Sequence, residues 1–234
     1  MVVAMHMSDG IVNAPTSLIF GAISILYVGY AVVRARADLD DRTAPMAGLV
    51  TAFVFAVQMI NFPILPGASG HLLGGALVAI LVGPWVGTLC ITIVLVVQSL
   101  LFADGGITAL GTNVFNMAIV GVLVGYGVAT AMRRIAASGR GGLLVTAFVA
   151  AFVNTVVASL GFVLEYAIGG AAGATLGTVF ALMVGFHALI GIGEGIITAL
   201  TVGAVASVRP DLVYLLRKAR TATATAAPAT GSTS

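Results

Sequence analysis

Residues 86–97 read VGTLCITIVLVV, an apolar run without a charged side chain. Apolar character continues to residue 102, and a helix over 86–102 would extend about 25 Å at 1.5 Å per residue, close to the thickness of a bilayer core. Similar runs occupy residues 17–33, 44–61, 70–83, 107–132, 143–165 and 175–207. The pattern predicts an all-α integral membrane protein with about seven transmembrane helices. Because the run at 70–83 is short, we expect its helix to begin near Gly67 and to be surrounded by other helices.

The composition excludes several classes of protein. Of the 234 residues, 60% are hydrophobic and 8% are charged, with a mean hydropathy of +1.15. A soluble domain of this length would need more charge to cover its surface. The single lysine, Lys218, is in no GxxxxGK[ST] context, so we expect any ATP hydrolysis to occur on a separate subunit. A formal net charge of +2 gives no reason to expect a nucleic-acid partner.

The basic residues predict the orientation. All 10 Lys and Arg residues lie in three segments, 34–42, 133–140 and 209–220, whereas loops 62–69, 103–106 and 166–174 have none. With seven spans the three basic segments fall on one side, which the positive-inside rule makes cytoplasmic. We therefore expect a multi-pass protein of the prokaryotic plasma membrane with its N-terminus outside. Residues 1–207 then form the transmembrane domain, and residues 208–234 form a disordered cytoplasmic tail.

Two histidines, His6 and His71, are predicted to lie at the same outer face. Imidazole binds Ni, Co, Zn and Cu. If Met5 is the mature first residue, its amine and the amide and imidazole nitrogens of His6 form fused chelate rings. A fourth nitrogen from His71 would complete a square plane, which suits Ni(II), Cu(II) or low-spin Co(II). The alternatives are a solvated terminal His6 and a His71 that bonds only to backbone.

Other polar residues are candidates for supporting roles. His187 and Glu194 are seven positions apart and hence on one face of the last span. Ionisable groups within a span are functional candidates, because a charge in hydrocarbon is costly. Six polar residues could orient the ligands by hydrogen bonds, or could instead join neighbouring helices: Asp9, Asn61, Gln98, Asn113, Asn116 and Asn154.

The chain resembles the CbiM/NikM family, the substrate-binding membrane components of energy-coupling-factor importers for cobalt and nickel. The matching segments are Met5-His6, Asp9-Gly10, SGHLLGGA at 69–76, GPW at 83–85, QSLLFADGGI at 98–107, GTN at 111–113, Asn116-Met117 and HALIGIGE at 187–194. They cover most of the chain in order. The resemblance implies that the amine of Met5, the amide and imidazole of His6 and the imidazole of His71 bind the ion.

The resemblance also implies partners: a small membrane accessory subunit, a transmembrane coupling subunit and a pair of cytoplasmic ATPases.

The sequence departs from the family pattern at two places. Ser8 replaces a proline found in many relatives, and residues 1–4 turn the Met5 amine into a peptide nitrogen. Either translation starts at Met5, or the extension is trimmed, or this chain binds its metal differently.

The leading interpretation is a transporter subunit, not an enzyme, that captures Co(II) outside for ATP-driven import. A nickel importer of the same family is the alternative, and a cobalamin gene context would favour cobalt. An intramembrane metalloenzyme is the competitor from another class, but the sequence has no HExxH or similar paired motif. A purely structural membrane subunit is the third interpretation.

Overall fold

A computed structural model describes residues 6–66, 68–136 and 139–217 of the chain. Helices dominate it, and a single two-stranded antiparallel sheet is present among these residues. The elements are α1 (Ala14–Ala35), α2 (Thr43–Gln58), β1 (Asn61–Leu65), β2 (Ala68–His71), α3 (Gly75–Val82), α4 (Pro84–Leu101), α5 (Leu110–Asn113), a π-helical segment (Val114–Gly121), α6 (Val122–Ile135), α7 (Arg140–Gly169), α8 (Leu176–Val208) and a 3-10 turn (Pro210–Leu212).

The predicted class, an all-α integral membrane protein, is confirmed, whereas the count of about seven spans and the external N-terminus stay predictions. Five helices in the described part of the chain are long and apolar enough to cross a membrane: Ala14–Ala35, Pro84–Leu101, Leu110–Ile135, Arg140–Gly169 and Leu176–Val208. Helix α2 is shorter, with 16 residues. Many leucine and isoleucine side chains on the outside of these helices are exposed, as expected of surfaces that face lipid.

The prediction that the third helix begins near Gly67 is wrong. Residues 68–71 form strand β2, which pairs with β1, and the helix begins only at Gly75. The preceding Gly74 has φ +80°, a left-handed conformation that a helix cannot contain. Helix α3 therefore has 8 residues and extends about 12 Å, too short to cross a bilayer alone. All of its residues are buried, as the prediction of a surrounded helix required.

Close contacts between small residues hold α3 inside the bundle. A Cβ added to Gly125 would lie 2.7 Å from Cα of Ala76, so α6 approaches α3 within contact of the backbone. A Cβ at Gly75 would likewise come within 2.7 Å of Asn154 Oδ1 and 2.8 Å of the Gly121 carbonyl carbon. Packing of this kind between small residues is typical of membrane helices. It fixes the N-terminal end of α3, which follows His71 in the chain, against α6 and α7.

The two ends of the bundle differ in charge. At one end the N-terminal segment contacts two loops that contain no Lys or Arg. The amide of Gly106 donates a hydrogen bond to the Met7 carbonyl (3.0 Å), and the amide of Ala171 donates one to the Ile11 carbonyl (2.9 Å). At the other end the basic connection after α1 joins the chain after α8. The contacts there are Arg217–Asp40 (3.3 Å), Arg42–Asp211 (3.6 Å) and the hydrogen bonds from Tyr214 to Asp38 (3.3 Å).

The chain beyond α8 does not become disordered at residue 208 as expected. Residues 210–212 form a 3-10 turn, residues 214–217 are helical, and Val213, Tyr214 and Leu215 are buried. Burial of these apolar side chains against the bundle outweighs the polar composition that follows them. The remainder of the expected tail, from Lys218, lies outside the described residues.

Candidate metal centre

His6 and His71 meet inside the protein. Nδ1 of His6 lies 2.8 Å from Nε2 of His71, and the two rings are 4.4 Å apart at an interplanar angle of 76°. Each residue is only 4% exposed. The pair predicted from the sequence is therefore brought together, and neither alternative of a solvated His6 or a His71 bonded only to backbone describes this arrangement.

Hydrogen-bond partners behind the two rings limit their tautomers. Nδ1 of His71 lies 2.9 Å from the carbonyl oxygen of Leu72, which only accepts, so Nδ1 carries the hydrogen and Nε2 presents a lone pair. Nε2 of His6 lies 2.8 Å from the side-chain amide of Gln98, which accepts from Nε2–H in one orientation and donates to Nε2 in the other. When Gln98 donates, the 2.8 Å contact between the rings is a hydrogen bond from Nδ1–H of His6 to Nε2 of His71. When Gln98 accepts, both facing nitrogens have a lone pair, and this is the form that can bind a metal ion.

The 2.8 Å separation limits where an ion could bind. Metal–imidazole bonds are about 2.0–2.1 Å long, so an ion cannot lie on the line between the two nitrogens and would bind to one side of it. Adjacent nitrogens are about 2.8–3.0 Å apart in a square plane and about 3.3–3.4 Å apart in a tetrahedron, so the pair reaches either spacing by small movements of the rings. Among the described residues no group of three or more His, Cys, Asp or Glu side chains is placed to hold a metal.

Burial favours the metal-binding form of both imidazoles, which lie in the N-terminal segment and in strand β2, outside the membrane-spanning helices. Loss of hydration lowers the pKa of His6, against the opposing effect of the nearby Asp104 carboxylate. Burial lowers the pKa of His71 well below its ordinary value, and the neighbouring His6 lowers it further. A lowered pKa means that each ring stays neutral as the pH falls through its usual titration range. Neutral imidazole is the form that binds metals.

The residues next to His6 in the chain are held by hydrogen bonds to distant parts of the sequence. Asn113 accepts a hydrogen bond from the Met7 amide and donates one to the Met7 carbonyl, each 3.1 Å long. Asp9 accepts hydrogen bonds from the backbone and hydroxyl of Thr108. Both residues were predicted to orient ligands, and the structure gives each a contact on the chain next to His6. Among the described residues, the hydrogen-bond partners of the two imidazoles do not include either side chain.

The segment that follows His71 is held by a buried carboxylate. The two oxygens of Glu194 accept hydrogen bonds from the backbone N–H groups of Leu73 (2.7 Å) and Gly74 (2.9 Å). Asn154 also donates to Glu194 at 3.2 Å, and Gln58 donates to the Leu73 carbonyl at 2.8 Å. Charge-assisted hydrogen bonds to a carboxylate are stronger than neutral ones. Glu194 thus fixes the turn into α3, two residues after His71, from α8.

The other predicted residues lie near the pair in different roles. His187 and Asn116 line, with His6 and His71, a cavity of about 40 Å³, close to the share of one water molecule. His187 Nδ1 bonds to the Met183 carbonyl at 2.7 Å. Asn116 lies in the π-helical segment and donates to Glu165 at 2.7 Å. Met5, the remaining predicted ligand, lies outside the described residues.

Two further residues act on His6. Gln98, one of the polar residues expected to orient the ligands, bonds to its ring from α4, whereas Asp104, which was not predicted, influences its charge from the loop after α4. The available signal for Asp104 was a single aspartate three residues after a helix without a charged side chain. An isolated ionisable group in so apolar a chain is a functional candidate. The sequence distance from His6, 92 positions for Gln98, concealed which ligand each residue acts on.

Replacement of Gln98 tests its role behind His6. We expect Gln98→Leu, which keeps the bulk but loses the acceptor, to weaken metal binding roughly tenfold to a hundredfold, the usual effect of a lost partner behind a ligand. Isothermal titration with Co(II) and Ni(II) measures it, with a thermal unfolding curve as the folding control. Unchanged affinity in a folded Gln98→Leu protein would show that the tautomer of His6 is not set by this contact.

Comparisons with known proteins agree on one family. The CbiM family, described as a cobalt uptake substrate-specific transmembrane region, matches residues 6–212. A putative metal transport protein of Haloquadratum walsbyi is 41% identical over 210 residues, which are 90% of this chain and 94% of the relative. A putative fused nickel transport protein of Archaeoglobus fulgidus is 41% identical over 209 residues, 89% of this chain and 68% of the relative.

A relative named for cobalt and a solved structure complete the comparison. The cobalt transport protein CbiM of Lachnoclostridium phytofermentans is 31% identical over 198 residues, 83% of this chain and 79% of the relative. The crystal structure of a transition metal transporter superposes with a TM-score of 0.81 at 29% identity, covering 92% of this chain and 97% of that chain.

Proposed function

Because this chain belongs to the CbiM family, we propose that it is the substrate-binding membrane component of an ATP-driven importer of Co(II) or Ni(II), and that His6 and His71 capture the ion. The observation that carries the proposal is the buried pair of imidazoles, whose facing nitrogens are 2.8 Å apart. Ionisable side chains are rare in this chain, and their placement together inside a membrane protein favours a functional site over a purely structural role. The match to a family of transporter components favours transport over the metalloenzyme interpretation.

The full ligand set proposed is four nitrogens in a plane. Nδ1 of His6, its amide nitrogen and the amine of Met5 form the chelate, and Nε2 of His71 closes the plane. Two facts support this set. The two imidazole nitrogens are close enough to bind one ion, and among the described residues no group of three or more His, Cys, Asp or Glu side chains is placed to hold a metal. Backbone and terminal nitrogens would then supply the other two ligands.

The ion is Co(II) or Ni(II). Four nitrogens in a plane accept either, and they disfavour Zn(II), which prefers a tetrahedron. The family description names cobalt, which is the metal we expected first, whereas the fused nickel transport protein of Archaeoglobus fulgidus is more similar to this chain than the cobalt transport protein of Lachnoclostridium phytofermentans, at 41% against 31% identity. Nickel is therefore the second candidate, and a direct measurement decides between them.

The proposed orientation places the histidine pair outside the cell. The end of the bundle that holds His6 joins connections without Lys or Arg, while the basic connections meet at the other end. By the positive-inside rule the basic end is cytoplasmic. The ion then enters from outside and leaves toward the cytoplasm. Because the sequence has no phosphate-binding loop, we propose that a separate pair of ATPases, with a transmembrane coupling subunit and a small accessory subunit, drives that step.

Metal titration of the purified chain tests the proposed function. We expect one Co(II) or Ni(II) to bind per chain, with Zn(II) at least about tenfold weaker because it forfeits its preferred geometry. Equilibrium dialysis followed by elemental analysis gives the number of ions bound per chain, and competition between the three ions gives the order of their affinities. Visible absorption of the Ni(II) form reports whether it is planar. Tighter binding of Zn(II) than of both other ions would contradict the square-planar assignment.

A further inference from the structure

A second cavity, of about 550 Å³, lies at the basic end of the bundle, opposite the histidine pair. It is formed where α6 ends, α7 begins and the chain leaves α8. Arg133, Arg140, Thr146, Ser207 and Leu216 are among the residues that line it. The volume is in the range of small-molecule sites, and nothing in the proposed capture of a metal ion uses it.

The two arginines of this cavity have no anionic partner within the described ranges 6–66, 68–136 and 139–217. The nearby acidic groups are engaged elsewhere, since Asp211 pairs with Arg209 and Arg42, and Asp40 pairs with Arg217. Two guanidinium groups facing one cavity leave a local excess of positive charge. That excess favours an anionic occupant.

The start of α7 adds to this preference. The helix begins at Arg140 without a side-chain cap, and its sequence there is Arg-Gly-Gly. The first N–H groups of a helix lack partners within the helix, and they carry the positive end of its dipole. A Cβ added at Gly139 or Gly141 would meet no atom within 4 Å, so the backbone at this end is accessible. Phosphates bind at helix N-termini of this kind.

A buried hydroxyl gives an independent indication of a ligand. Thr146 is 0% exposed, lines the cavity, and its Oγ1 has no hydrogen-bond partner among the described residues. It lies one and a half turns into α7, on the cavity side. An unsatisfied buried hydroxyl is unfavourable, and an occupant with acceptor oxygens would satisfy it.

We propose that this cavity binds the phosphate group of an anionic phospholipid from the cytoplasmic leaflet, held by Arg133, Arg140, the N-terminus of α7 and Thr146. The apolar side chains of Leu143 and Leu216 complete the wall for the adjoining glycerol and acyl carbons. The choice of a lipid as source rests on the membrane orientation proposed above. The cytoplasmic surface of a membrane is rich in anionic lipids, which attract arginines near it.

The test measures lipid binding by the purified full chain in neutral detergent, by native mass spectrometry and by competition with a fluorescent lipid. The probes are short-chain phosphatidylglycerol, short-chain phosphatidylcholine and inorganic phosphate. We expect phosphatidylglycerol to bind best, and the double variant Arg133→Gln, Arg140→Gln to bind it roughly tenfold to thirtyfold more weakly. Thr146→Val should weaken binding roughly threefold to tenfold through loss of the hydroxyl.

Arg134 supplies the matched control, because it carries the same charge next to Arg133 but does not line the cavity. Arg134→Gln should change binding less than about threefold. An equal loss in this variant and in the double variant would show general surface attraction and overturn the site. Full competition by inorganic phosphate would overturn the assignment to a lipid. Absence of lipid binding, with coupling-subunit capture abolished by the double variant, would assign the cavity to a protein partner instead.

Metal titration of the same variants separates this proposal from the proposed function. The basic cavity and the histidine pair are at opposite ends of the bundle, so we expect the Co(II) and Ni(II) affinities of the double variant to match those of the wild type. Wild-type metal binding with lost lipid binding supports the lipid site. A parallel loss of both in the double variant would point to misfolding or coupling between the ends, and would overturn an independent lipid site.

Discussion

His71→Ala should reduce Co(II) and Ni(II) affinity by about a hundredfold or more while the protein stays folded. The variant deletes Nε2, one of the two facing imidazole nitrogens that we propose bind the ion. Binding of a structural four-ligand metal is worth about 10–16 kcal/mol, so an average ligand contributes roughly 3 kcal/mol, which corresponds to about two decades in affinity. Metal content of the purified variant by elemental analysis, and titration of its metal-free form, measure the change.

His187→Ala is the matched control for this experiment. His187 lines the same small cavity, is also buried, and is also an imidazole, but its Nδ1 is bonded to the carbonyl of Met183 in its own helix. We expect His187→Ala to weaken metal binding at most about tenfold, as for a residue that supports the ligands without binding the ion. Wild-type metal occupancy in His71→Ala, or a greater loss in His187→Ala than in His71→Ala, would contradict the assignment of the pair.

The apolar runs predicted most of the fold because lipid imposes a simple requirement. A segment that crosses hydrocarbon must satisfy its backbone internally and be apolar along its length, and both conditions are visible locally. The prediction was wrong where this requirement does not act. The residues before α3 are surrounded by protein, so a strand and a left-handed Gly74 are tolerated at the depth where a helix was expected.

The histidine pair could be predicted because ionisable side chains are rare in this chain, and the basic loops placed both histidines at one face. The supporting contacts could not be predicted, because each joins positions distant in sequence. Glu194 was a candidate as a charged residue within a span, yet its bonds to the amides of Leu73 and Gly74 lie 121 and 120 positions away. Gln98 acts on His6 in the same manner. Such pairings depend on how helices pack, which an apolar pattern does not specify.

The first residue of the mature chain should control metal binding. We expect a protein that begins at Met5 to bind Co(II) and Ni(II) at least about a hundredfold more tightly than one that keeps residues 1–4, by the same estimate for one lost nitrogen ligand. In the shorter protein Met5 has a free amine, with an ordinary pKa of about 7.7–8.0, which loses its proton readily near neutral pH. In the longer one the same atom is a peptide nitrogen, which is deprotonated only at much greater cost.

The dependence of affinity on pH distinguishes the amine from a steric effect of the added residues. Burial lowers the pKa of His6 and of His71, so both are already neutral near pH 7 and release no proton on binding. The protons released then come from the Met5 amine and the His6 amide, and the affinity of the shorter protein should rise by about two decades per pH unit below pH 7.7. Acetylation of Met5 in the shorter protein removes the amine with little added bulk, and should weaken binding as much as residues 1–4 do. Equal affinity of the shorter, longer and acetylated proteins would show that the amine is not a ligand, and intact-mass measurement of the native protein establishes which form the cell makes.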